Sequence, residues 1–114
     1  MKIITVPEKK SEILSKHNRY FKTMIKAVVD VKNSFMAIDA ELHADLEGLL
    51  LSEGKSDQKD VWGINLFLDK PKEQWIEFTA LINIRPSANN RSMEVEDPGI
   101  KESIRSIVEK LILE

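Results

Sequence analysis

Between Trp75 and Arg85 the chain reads WIEFTALINIR, with Ile76, Phe78, Ala80, Ile82 and Ile84 at every second position. Successive side chains on a strand point to opposite faces, so this spacing predicts a half-buried strand with one apolar face. Trp75, Glu77, Thr79, Leu81, Asn83 and Arg85 take the other face. A strand of this kind needs partner strands and a covering layer. Pro86 ends it, because proline cannot donate to a ladder. Pro86 to Glu96 is dense in Ser, Asn and charge, a long irregular connection of the sort that often carries function. Asp97 then suits a helix cap, with Pro98 at the first helical position.

The partners are legible upstream. Lys2 to Val6 reads as a short first strand. Pro7 permits a helix start, and Ile13, His17, Tyr20 and Phe21 fall on one face of an amphipathic helix. Ile25 to Lys32 alternates as a strand, with Asp30 on its more polar face, half-solvated or ion-paired. Asn33-Ser34 and then Phe35 to Ile38 complete a hairpin in which Asn33 tolerates a left-handed turn. Leu42, Leu46, Leu49 and Leu50 give a helix that Gly54 closes as a left-handed cap. In VWGINLFL, Trp62, Ile64, Leu66 and Leu68 share a face, and Gly63 marks a close approach to the backbone. Pro71 turns this strand back onto the one at Trp75 as a second hairpin. Ile100, Ile104, Ile107, Val108 and Leu111 define the last helix.

The expected fold is therefore α+β: one domain, residues 1–114, with a mainly antiparallel sheet of four or five strands in two hairpins, packed with three helices that cover one face. With the other face open, Trp75 and Leu81 lie on it as apolar surface and invite a homodimer. A formal net charge of −2 argues against broad nucleic-acid binding. The absence of cysteine excludes disulfides and thiolate chemistry. No apolar run spans a bilayer and no signal-peptide core precedes the first charges, so a cytoplasmic protein without membrane contact is expected. No glycine-rich phosphate loop, HExxH or GxSxG is present. Two distant histidines do not make a metal site, and no cofactor is expected.

What remains is a polar set. Asn83 and Arg85 share one strand face, Asn65 lies on the partner strand, and Asn90, Arg91 and Ser92 follow in the loop. Guanidinium groups bind carboxylate or phosphate through a bidentate fork, so this set suits an anionic small molecule. His43, at i, i+4 from Glu47 on a helix, is the candidate proton acceptor, and hence the one catalytic candidate. The alternative is that Arg85 and Arg91 pin the long loop against acidic neighbours, and that the protein is a non-catalytic protein–protein interaction or self-associating module.

Four strings, KAVVDV, ELHADLE, WGINLFLDKP and INIRPSANNRSMEVEDPGI, together resemble a family of short prokaryotic proteins known only as a domain of unknown function. The family pattern runs through a VVDV strand, an ELHAD segment, a WGxN strand and an INIRPxxxNRS loop into a helix that starts with DP. Here Val28 to Val31, Glu41 to Asp45, Trp62 to Asn65, and Ile82 to Ser92 into Asp97-Pro98 carry it. The chain departs at Asp39-Ala40, where the family pattern has small residues, often glycine. The resemblance implies no activity. It marks the same polar residues that strand parity singles out.

Overall fold

A computed structural model describes residues 1–114. In chain order the elements are β1 (Lys2–Ile4), β2 (Glu8–Lys9), α1 (Lys10–Lys16), β3 (Ile25–Asp30), β4 (Phe35–Ile38), α2 (His43–Ser52), β5 (Val61–Leu66), β6 (Ile76–Glu77), α3 (Pro98–Leu111) and β7 (Ile112–Leu113). Five strands form one antiparallel sheet in the order β1-β4-β3-β5-β6. The α+β class, the β3–β4 hairpin and the β5–β6 pairing are as the sequence predicts, and β1 takes the edge beside β4. The pair β2 and β7 forms a small parallel sheet of its own. No helix is long and apolar enough to cross a membrane.

The helices cover both faces of the sheet, not one. On the first face Ala27, Val29, Ile38, Trp62 and Ile64 meet Ile13 of α1 and Ile104, Val108 and Leu111 of α3. On the second face Val28, Ala37 and Val61 meet Leu46 and Leu50 of α2. Both clusters follow from alternation: each central strand is apolar on both sides at these positions, so both sides need a cover. Trp75 is therefore a core residue, fully buried with Nε1 donating to Lys70 O at 2.9 Å, rather than exposed sheet surface. Helix α3 forms as the spacing requires, and Asp97 Oδ1 accepts from Gly99 N at 2.7 Å and Ile100 N at 3.3 Å.

Several local expectations give way to tertiary contacts. Helix α1 is one short segment, because Glu8 and Lys9 are drawn into pairing with Ile112 and Leu113. At its far end Arg19 binds the buried Asp39 carboxylate through both its backbone N–H and Nε, which pulls the chain out of the helix before Tyr20. Asp30 is neither solvated nor ion-paired. It is fully buried and accepts from Lys32 N, Asn33 N, Asn33 Nδ2 and Ser56 Oγ, stapling the hairpin turn to the loop before β5. Burial alone would raise its pKa, but these hydrogen bonds hold the carboxyl below its usual value.

The left-handed positions are Ser34, Asp39, Lys55 and Asn89, not Asn33 or Gly54. Gly54 serves a different need, since a Cβ there would lie 2.8 Å from Leu50 O. At Asp39, φ is 73°, a conformation that glycine adopts without strain.

The largest departure is the strand expected over Ile76 to Ile84. Only Ile76–Glu77 pairs with β5, opposite Leu66 and Asn65. Beyond it the chain leaves β5 and bonds instead to residues 93–95, through Val95 N to Phe78 O and Ala80 N to Met93 O. A 3-10 turn follows at Leu81–Asn83. The turn lies over Gly63: a Cβ placed there would stand 2.5 Å from Ala80 Cβ. Gly63 thus lets the chain cross over β5 rather than run beside it.

Candidate functional site

Where β5 loses its neighbour strand, side chains finish its border. Asn83 is fully buried, and its carboxamide acts as a one-residue strand. Oδ1 accepts from Gly63 N at 2.8 Å and Nδ2 donates to Gly63 O at 2.9 Å and to Met93 O at 3.1 Å. Two residues along, Arg85 Nη2 donates to Val61 O. Its guanidinium stacks 4.5 Å from the centroid of Trp62, and its nearest carboxylate, Glu47 Oε2, is 3.7 Å away. Burial lowers the Arg85 pKa, and the Glu47 charge opposes that.

The loop that follows is held from within. Asn90 Nδ2 donates to the carbonyls of Asn83, Ser92 and Glu94, and Asn90 Oδ1 accepts from Glu96 N. Glu96 Oε2 in turn accepts from the backbone N–H groups of Arg91 and Ser92. The Arg91 and Ser92 side chains are exposed. Neither Arg85 nor Arg91 lines any cleft of the molecule. The expected convergence of two guanidinium groups on a concave pocket is not what the geometry shows. Asn83 and Arg85 do approach one border of β5, but from a turn, not from one face of a strand.

The main concavity lies on the second face of the sheet, between the start of α2 and the turn at Leu81–Asn83. Its volume is about 790 Å³, within the range of small-molecule sites. Met24, Leu42, Leu81, Ile82 and Met93 make most of the wall. The polar groups come from three adjacent strands. Lys26 pairs across to Asn65, and Asn65 pairs across to Glu77, so the three side chains form a row over β3, β5 and β6. Asn65 Nδ2 donates to Glu77 Oε1 at 2.7 Å and to Thr79 O at 3.1 Å. Asn65 is only 8% exposed, and its Oδ1 has no hydrogen-bond donor.

His43, the first residue of α2, stands on the wall of this cleft. Its Nε2 lies 2.8 Å from Ile64 O. A carbonyl only accepts, so Nε2 carries the proton and Nδ1 is left as an acceptor. Burial pushes the His43 pKa down and the Lys26 charge adds to this, while Ile64 O and Asn65 favour the protonated ring. The imidazole is therefore neutral at pH 7 and able to take a proton.

Of the residues singled out by sequence, His43 and Asn65 line the cleft, and Asn83 is buried in the border of β5 instead. Arg85, Asn90, Arg91 and Ser92 do not reach the cleft. Lys26 and Glu77 escaped the sequence reading, because their alignment with Asn65 exists only once the strand register is known.

No curated protein and no solved structure matches the chain. One family profile does, over residues 2–111. The chain belongs to that family, described as proteins of unknown function, DUF5674.

Proposed function

We propose that the protein binds a small, largely apolar molecule in the cleft between α2 and the Leu81–Asn83 turn. The observation that carries this reading is the polar row Lys26–Asn65–Glu77 at the base of an apolar hollow. His43 gives the same cleft a neutral base, so a bound molecule with an acidic hydrogen has an acceptor at hand.

A thermal-shift screen of small apolar molecules, carboxylates and phosphates tests this. A ligand at a hundred times its dissociation constant stabilises the fold by about 2.7 kcal/mol. Ala44→Trp, at the exposed first turn of α2, fills the cleft mouth and is expected to abolish the shift. If no compound moves the wild type, the proposal fails.

A second reading is self-association, a homodimer through this face. It is favoured by Leu81, Leu42 and Met93, which ring the cleft at 70%, 56% and 42% exposure. Sedimentation at micromolar concentration decides it: a clean monomer removes the reading.

A further inference from the structure

We infer that the cleft's ligand carries both an ammonium and a carboxylate at its polar end, as an apolar α-amino acid does. This rests on the cleft being a ligand site. The floor presents a cation, an amide and an anion in sequence, since Lys26 lies opposite Asn65 and Asn65 opposite Glu77. Neighbouring strands stand about 4.8 Å apart, so long side chains on the outer two both reach a group held over the middle one. A ligand of single charge satisfies one end of such a row and opposes the other.

Each end has a second feature. At the acidic end, Asn65 Nδ2 donates to Glu77 Oε1 at 2.7 Å and to Thr79 O at 3.1 Å, which holds the Glu77 carboxylate beside the amide. Both amide donor contacts go to acceptors, so the amide does not gain by flipping. An ammonium set beside the exposed Glu77 carboxylate makes a charge-assisted hydrogen bond to it.

At the basic end, α2 begins at His43 with no side chain capping it, and His43 and Ala44 line the cleft. The free N–H groups of a helix start favour a carboxylate, and Lys26 adds a full charge. Asp45, in the same turn, is exposed and caps nothing. His43 already commits Nε2–H to Ile64 O, so it does not compete for the carboxylate as a neutral ring. Met24, Leu42, Leu81 and Met93 then surround the ligand's apolar side chain.

The test is NMR titration read at the methyl groups of Met24 and Met93, with four matched probes: phenylalanine, phenethylamine, 3-phenylpropionate and 3-phenylpropan-1-ol. Phenylalanine is expected to bind about tenfold or more tighter than either singly charged analogue. Its advantage over the amine is expected to disappear in Lys26→Met, and its advantage over the acid in Glu77→Gln. If the analogues bind as well as phenylalanine, the inference on the head group falls while the cleft reading stands. It also falls if both variants keep the full advantage. If none of the four probes, the neutral alcohol included, moves either methyl group, both the inference and the cleft reading fall.

Discussion

Asn83→Ala offers a direct measure of how much the fold depends on a side chain standing in for a strand. The substitution removes three hydrogen bonds, to Gly63 N, Gly63 O and Met93 O. Two of them serve backbone groups of a central strand whose every residue is buried. Each hydrogen bond contributes on the order of 1 kcal/mol net, but a buried group left without a partner costs about 1–3 kcal/mol. With Gly63 N and O both stranded, and a small void where the amide stood, the loss is expected at about 3–5 kcal/mol. For a chain of this size that lowers the melting midpoint by roughly 10–20 °C.

Equilibrium urea denaturation measures the loss, and Asn83→Asp is the informative control. A carboxylate still accepts from Gly63 N but faces the oxygens of Gly63 and Met93. It is expected to destabilise at least as much at neutral pH, and to recover part of the difference from wild type once acid protonates it. A loss under about 1 kcal/mol for Asn83→Ala would refute the argument, since it would mean that water or a shifted chain completes β5 equally well.

Gly63→Ala places a methyl group 2.5 Å from Ala80 Cβ and 3.2 Å from both His43 Cδ2 and Ile82 Cγ1. Denaturation is expected to show a loss of about 1–3 kcal/mol, and Ala80→Gly in the same chain restores part of it; no recovery would place the strain elsewhere. The pH dependence follows from His43 and Asp30. The folded chain lowers the His43 pKa, so the unfolded chain binds more protons below its own value of about 6.5, and stability falls as pH drops from there toward the folded value. Asp30, also lowered, contributes stability that is present above about pH 4 and is lost as pH falls through its folded value. Parallel urea midpoints for wild type and His43→Asn between pH 7 and 5 would contradict the first of these.

The parts of the fold that alternation or helical spacing made legible are those where burial and backbone agree. Helix α3 carries its apolar stripe and its Asp97 cap in sequence, and nothing in the tertiary structure competes with either. Strand β5 is buried along its whole length, and its short, mainly apolar run VWGINL reads as a strand covered on both faces. The stretch from Ile76 to Ile84 alternates, yet Ile82 is packed from a turn, not a strand. Alternation marks Ile76 to Ile84 as the packed side, but the turn over Gly63 leaves Ile84 43% exposed and buries Asn83 instead. The first helix forms but is shorter than its spacing suggests for a comparable reason, since Lys9 pairs with Leu113, far away in sequence.

The site divides in the same way. Asn65 stands out as a polar group in an apolar strand and His43 by its i, i+4 spacing from Glu47, and both are visible in one dimension. Lys26 and Glu77 join them only through cross-strand register. The arginines and Asn90 lie in the expected loop, but side-chain type alone does not say where their donors go. Arg85 turns to Val61 O and Trp62, and Asn90 turns inward to the carbonyls of Asn83, Ser92 and Glu94.

A border made of side chains also sets a limit on growth. Backbone groups left open along a sheet are templates on which a foreign strand can dock. At Gly63 the amide of Asn83 occupies both the donor and the acceptor, and at Val61 the guanidinium of Arg85 occupies the carbonyl. A flexible peptide gains nothing by lying there, and the opposite rim, β1, is only three residues long. The same carboxamide that closes the fold therefore keeps this border from serving as such a template.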